Sequence, residues 1–207
     1  MRDIVRLAEE RQISIAYHDK KTLSRISKNA KQDQGVALDI QCQHFLSDTD
    51  FLAALPKHFT LIALDKVTNP QNVGMIIRSV AASPIDGLIL PEKGCARLDA
   101  LVIKASAGTL FKCPIIRSTN LLNTLSHLQQ QGASVIGLDV RAQVDLGSFV
   151  APERAVYVLG NESEGLSPSI QALCDTQVFI PMANAVESLN VGVTASLIAF
   201  RPILGKN

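Results

Sequence analysis

Asn72, Arg78, Glu162, Ser188 and Asn190 are the side chains whose types and setting could do chemistry in this chain of 207 residues. Each lies in or just beyond a polar loop that follows an apolar run. The first loop reads Asp65-Lys66-Val67-Thr68-Asn69-Pro70-Gln71-Asn72-Val73-Gly74 and continues to Arg78. The second reads Gly160-Asn161-Glu162-Ser163-Glu164-Gly165-Leu166-Ser167, and the third runs from Ile180-Pro181-Met182 through Glu187-Ser188-Leu189-Asn190-Val191-Gly192. Amides, a guanidinium and a carboxylate gathered at strand ends can bind an anion, orient a hydroxyl or stabilise developing charge, and three such loops are how an α/β enzyme builds one site.

Several other chemistries are excluded by their own requirements. The second loop has the outer spacing of a phosphate-cradling loop, but Leu166 stands where the phosphate-binding lysine must be. Ser163 lacks the glycine two residues before it that a nucleophile elbow needs, and no histidine follows His127 to complete a downstream triad. No GxGxxG occurs, all four histidines lie outside the polar loops, and Cys42, Cys95, Cys113 and Cys174 form no metal-binding pair. No metal is expected. Asn72 and Asn190 both precede helical runs, where helix capping would account for either, although capping does not exclude binding. Arg78 sits among Met75, Ile76, Ile77, Val80 and Ala81, so its charge calls for a partner: an ion pair with Glu162, a substrate phosphate, or both.

The elements that must position these residues alternate. Apolar strands are expected at 61–64, 88–90, 115–116, 135–138, 156–159 and 177–180, with helices at 73–82, 98–107, 121–131, 168–173 and 191–203. That order implies an α/β protein with a mainly parallel sheet. Residues 1–46 read as a separate small α/β unit, with helices at 3–11 and 22–31 and strands at 14–17 and 36–40, and Ser47-Asp48-Thr49-Asp50 with Pro56 suggests a linker over 47–59. The formal charge is +1, so only local clustering speaks for a polyanion: Lys21, Arg25, Lys28 and Lys31 recur at helical spacing, as either a solvated face or a phosphate-binding one. With 47% hydrophobic residues, no bilayer-length apolar run and no signal peptide, the expected location is cytoplasmic, away from membranes.

The three loops, in this order and spacing, resemble the three motifs of the SpoU (TrmH-like) RNA ribose 2'-O-methyltransferases of the SPOUT superfamily, and Lys104-Ala105-Ser106-Ala107-Gly108 is similar to a further family segment. The likeness spans residues 60 to about 200. The segment around Gln34-Gly35-Val36 resembles the later part of the family's ribosomal-protein-like RNA-binding domain, whose leading half is not matched. Asn184, Gly192 and Thr194 depart from the residues usual at those positions.

This resemblance implies a carboxy-terminal trefoil knot, a SPOUT domain over 60–207, a partial RNA-binding unit over 1–46 and a homodimer. It implies methyl transfer from S-adenosylmethionine to a ribose 2'-hydroxyl, with rRNA favoured over tRNA and a non-catalytic RNA-binding protein of the same fold as the other alternative. Leu159, Gly160, Ile180, Met182, Ser188 and Leu189 would hold the cofactor. Asn72, Arg78, Glu162, Ser188 and Asn190 would serve the reaction, with Arg78 stabilising charge on the ribose oxygen and Glu162 orienting Arg78.

Overall fold

The computed structural model describes residues 2–27, 33–40, 42 and 45–204, and the chain divides between Gln41 and Cys42 into two compact units. The larger unit is built on an eight-stranded sheet in the order β1-β4-β3-β2-β7-β5-β8-β6, with every recorded pairing parallel. Its strands are β1 Phe45–Ser47, β2 Phe59–Leu64, β3 Gly87–Pro91, β4 Ile115–Ser118, β5 Ser134–Leu138, β6 Val144–Asp145, β7 Arg154–Leu159 and β8 Thr176–Phe179. The central strands β2, β3 and β7 are almost continuous apolar runs, the pattern expected when both faces of a strand are covered.

Alternate residues of each strand feed two cores. Ile62, Leu64, Leu88, Leu90 and Tyr157 pack beneath α4 Pro70–Ala81, α5 Ala100–Ala105 and α8 Val191–Leu204. Leu61, Ala63, Ile89, Val156 and Val158 pack beneath α6 Leu121–Gln130 and α7 Pro168–Leu173. The period of two along each strand thus serves two helical layers, and all loops that follow a strand open at one edge of the sheet.

Helices α4 and α5 approach closely because Gly74 has no side chain. A Cβ at Gly74 would overlap that of Ala105 and lie 2.9 Å from the Ala105 carbonyl carbon and from the Ser106 nitrogen.

The strands and helices expected for the main sheet are present, with no end shifted by more than three residues. The segment 47–59, expected as a linker, instead contains the end of β1 and all of α3 Asp48–Ala53. Its polar run is a helix cap: the Ser47 hydroxyl accepts the Asp50 N–H at 3.0 Å, while Phe51, Leu52 and Leu55 pack against the second core.

In the smaller unit, α1 Arg2–Glu10 and α2 Lys20–Ser27 form, but 14–17 and 36–40 are not strands. No described residue from 2 to 40 is buried, so these short apolar runs lack the covered face that would hold them in a sheet. Among the described residues, no helix is long and apolar enough to cross a membrane.

In an isolated helix, Gly74→Ala would stabilise by about 1 kcal/mol through propensity. Here the overlap at Ala105 reverses the sign, and a net loss of roughly 1–3 kcal/mol is expected. Thermal unfolding of the variant should show a lowered Tm, and a raised Tm would mean that the two helices part without cost.

Candidate active site

A cavity of about 440 Å³ opens at the carboxyl ends of β5, β7 and β8. Leu159, Gly160, Ile180, Met182, Ser188 and Leu189, the six residues expected to hold a cofactor, all line it. Its walls are apolar where Leu138, Leu159, Val178 and Ile180 leave the sheet, and its size falls in the range of small-molecule sites. Glu162 also lines it. Asn72, Arg78 and Asn190 do not.

Asn72 is nevertheless tied to this wall. Its side chain is 6% exposed on the first turns of α4, a position where an unsatisfied amide would be costly. Asn72 Nδ2 donates to Glu162 Oε1, and Asn190 Nδ2 donates to Asn72 Oδ1 at 2.9 Å. One buried amide thereby joins all three polar loops.

The capping expectation divides between the two asparagines. Asn69, not Asn72, caps α4, its Oδ1 accepting the Gln71 N–H at 2.9 Å with Pro70 in the first turn. Asn190 does both jobs, because its Oδ1 accepts the Gly192 N–H at 2.8 Å while its amide nitrogen reaches Asn72.

The second loop is fixed at several points. Asn161 and Gly165 exchange backbone hydrogen bonds, and Asn161 Oδ1 accepts the N–H groups of Ser163 and Glu164. Gly160 is required by close approach, since a Cβ there would overlap the backbone of Gly165. Two links run to the end of β2: Asn161 Nδ2 donates to the Lys66 carbonyl at 3.1 Å, and Asp65 Oδ2 accepts the Ser167 N–H at 2.6 Å. In the third loop Asn184 and Ala185 both have positive φ, closed by a Val186 N–H to Ala183 carbonyl bond of 3.2 Å. Asn184 therefore occupies a left-handed position that suits glycine, and asparagine is among the residues that best tolerate it.

Arg78 differs from expectation. It is exposed, on the same outer stripe of α4 as Gln71 and Met75, and no carboxylate pairs with it among the described residues. Ile76, Ile77 and Val80 face inward while Arg78 and Met75 face out, because a helix turns through 100° per residue. Glu162 is consequently oriented by Asn72 and not bound to Arg78. Ser188 is exposed at the cavity, Lys21 and Arg25 are exposed on α2, and Lys28 and Lys31 lie outside the described residues.

Asp65, Asn161, Asp139 and Arg141 were missed by sequence reasoning. Asp139 follows β5 at the cavity rim and binds Arg141 in a two-pronged pair, 3.0 Å to Nε and 2.7 Å to Nη2, which holds the Asp139 carboxyl below the usual carboxylate range. The available signal was an Asp-x-Arg step immediately after a strand. Asp139, Glu162, Glu164 and Glu187 line the cavity against the single cation Arg141, so the rim carries net negative charge. Among the described residues, no group of three or more His, Cys, Asp or Glu is placed to hold a metal ion.

An α/β unit with a parallel sheet and an apolar, acid-rimmed pocket at its carboxyl edge has the form of a small-ligand-binding domain. The model of the SpoU rRNA Methylase family matches residues 59–200, and the chain belongs to that family. An uncharacterized tRNA/rRNA methyltransferase of Mycobacterium leprae is 37% identical over 178 residues, covering 85% of this chain and 57% of the relative. A second, from Mycolicibacterium smegmatis, is 34% identical over 197 residues, covering 94% of this chain and 62% of the relative. The chain thus spans about three-fifths of the length of these curated relatives. Among solved structures, the SpoU methyltransferase AviRb from Streptomyces viridochromogenes, in complex with the cofactor AdoMet, superposes with a TM-score of 0.67 at 28% identity. That likeness covers 73% of this chain and 62% of AviRb.

The Asp65 link yields a direct test. Asp65→Ala leaves the Ser167 N–H without its acceptor and should cost about 1–3 kcal/mol. Asp65→Asn keeps an acceptor oxygen and should cost less. Urea unfolding of the two variants should rank them in that order, and equal midpoints would show that this link does not hold the second loop.

Proposed function

We propose that this chain is an RNA ribose 2'-O-methyltransferase that uses S-adenosylmethionine, acts on rRNA in preference to tRNA, and works in the cytoplasm as a homodimer with a trefoil-knotted carboxy-terminal domain. The observation that carries this reading is the cavity. Apolar walls at Leu138, Leu159 and Ile180 suit an adenine ring, and the surrounding carboxylates suit a ligand bearing a sulfonium and an ammonium group. The donor set therefore fits the cofactor. When bound, S-adenosylmethionine supplies an electrophilic methyl group.

The chain's own residues supply orientation and charge. Backbone groups at Gly160, Ile180 and Leu189 hold the methyl donor, and the Asn190–Asn72–Glu162 chain fixes Glu162 at its edge. Among the described residues only Oε1 of Glu162 is engaged, which leaves Oε2 to accept the proton of the 2'-hydroxyl, directly or through one water. Arg78 binds the adjacent phosphate and stabilises charge developing on the ribose oxygen.

Because Arg78 is not part of the cavity wall of its own chain, a second copy is the natural source of this guanidinium. Arg78 shares its stripe on α4 with Met75, which is 41% exposed. Beside it α8 exposes Val193 and Leu197, and the two helices meet through a 2.7 Å contact between the Ser79 and Ser196 hydroxyls. An apolar stripe flanked by a functional cation suits an isologous interface.

Incubating the protein with radiolabelled methyl donor and total RNA, then digesting to nucleosides, tests the reaction. Ribose-methylated nucleosides from the rRNA fraction are the expected product. Label in bases would overturn the assignment, label confined to tRNA would replace the substrate, and donor binding without transfer would favour the non-catalytic alternative.

Arg78→Ala should lower turnover by roughly a hundredfold with little change in donor affinity. Leu189→Trp, which fills the pocket, should abolish donor binding. Equimolar reassembly of the two variants should restore about a quarter of wild-type activity, since half of a random population of dimers carries one intact composite site. No recovery from folded, dimeric variants would place Arg78 and the pocket of one chain in the same site.

A further inference from the structure

The carboxyl edge of the sheet does not end at the cavity. Moving along the strand order from β7 through β2 and β3 to β4, the loops change sign. Beside β7 the rim is acidic. Beyond β2, Lys66, Lys93 and Arg97 face solvent beside the carboxylates of Glu92 and Asp99, and none of the three cations is in an ion pair among the described residues.

Three carboxylates, Asp65, Glu92 and Asp99, lie in the same loops. Asp65 is committed to the Ser167 N–H, and Asp99 caps α5 by accepting from Leu101 and Val102. Glu92, on the loop it shares with Lys93 and Arg97, and Asp99 both face solvent and keep their negative charge, whereas Asp65 is buried.

A fourth cation lies at the end of β4. Arg117 pairs in register with Leu90 of β3 and with Ser47 of β1, its Nη1 is buried with no hydrogen-bond partner among the described residues, and burial and the Glu92 carboxylate act on its guanidinium in opposite directions. Arginine stays protonated in proteins, so this is a desolvated donor whose cost is recovered when an acceptor arrives.

The platform that carries these groups is rigid. The Ala96 N–H donates to the Val67 carbonyl at 3.0 Å, the Cys95 thiol reaches the Leu64 carbonyl at 3.6 Å, and the Glu92 N–H donates to the Ser118 carbonyl at 2.9 Å. Lys66 itself takes a positive φ, and its backbone is bound by Asn161 of the cavity loop. Three loops of the cationic edge are thus locked to one another and to the cavity wall.

We infer that the Lys66, Lys93, Arg97 and Arg117 edge is a phosphate-binding track for RNA, which guides the strand to the cavity from the β3–β4 side. This rests on the proposed RNA-modifying activity and adds the path of the polyanion. With about 4.8 Å between neighbouring strands, β4 and β7 lie about 15 Å apart, enough for several phosphates to engage the track while one ribose reaches the pocket. Charge sets the direction: the acidic rim repels a phosphate chain and the cationic edge attracts it.

The test uses the full chain and a fluorescently labelled single-stranded RNA of 20 nucleotides, titrated at several salt concentrations, with donor affinity measured separately by calorimetry. Lys93→Ala/Arg97→Ala, which leaves the cavity untouched, should reduce the magnitude of the slope of log affinity against log salt by about 1.4, two contacts at ~0.7 each. Donor affinity should stay within about twofold of wild type. In the wild type, bound RNA should protect Lys66 and Lys93 from acetylation by an amine reagent. An unchanged slope with both lysines unprotected overturns the track, as does transfer of the whole loss to Lys21→Ala/Arg25→Ala. If the RNA slope responds as expected while wild-type protein binds no methyl donor, the track stands and the proposed activity falls.

Discussion

Burial of the Asn72 amide is the constraint on which the site depends. An amide in a packed helix must satisfy both its oxygen and its nitrogen, and the two partners come from residues 90 and 118 positions later in the chain. Meeting that requirement brings the second and third polar loops to the start of α4. The loops could each fold locally, through the Asn161 turn, the Asn184–Ala185 turn and the Asn190 cap, yet none of those local devices sets their mutual position. The long-range hydrogen bonds do. Asp65 and Asn161 repeat the arrangement one step away, so the cavity loop is tied to β2 and α4 independently.

The parallel sheet explains why this is possible. With every strand pointing the same way, each strand-to-helix loop emerges at one edge, and the central strands must be apolar on both faces because helices cover both. Functional side chains are therefore excluded from the strands and concentrated in the loops. Within that edge the charge balance differs by strand position: at the cavity four carboxylates face one cation, whereas Lys66, Lys93 and Arg97 after β2 and β3 share their loops with Asp65, Glu92 and Asp99. Under the proposed function, a cationic methyl donor and a polyanionic substrate would then occupy neighbouring regions without competing for the same field.

Much of the sheet was legible because long apolar runs alternating with helical periodicity leave few alternatives, as at β2, β7 and α8. The failures have specific physical causes. Ser47-Asp48-Thr49-Asp50 has the composition of a linker, but the same hydroxyl and carboxylates cap α3 and bond to Thr124. Residues 14–17 and 36–40 have strand-like composition without a covered face. Arg78 looked buried because its neighbours in sequence are apolar, a criterion that ignores which way each residue of a helix points. Asp65, Asp139 and Arg141 gave little signal since a single acidic or basic residue after a strand is common.

The sequence by itself determined the alternation of strands and helices and the three polar loops, since both are local matters of residue type and spacing; the six residues expected to hold a cofactor came from the family resemblance, and Asp139 and Arg141 of the cavity rim from neither. Only the tertiary structure decided that Glu162 belongs to Asn72 and not to Arg78, that Arg78 faces outward beside Met75, and that Arg117 carries a buried donor without a partner. The reason is that hydrogen bonds and ion pairs across about a hundred residues depend on strand order and helix rotation. Sheet order, with β7 inserted between β2 and β5, is a property of the packed cores and is written in no local stretch of the chain.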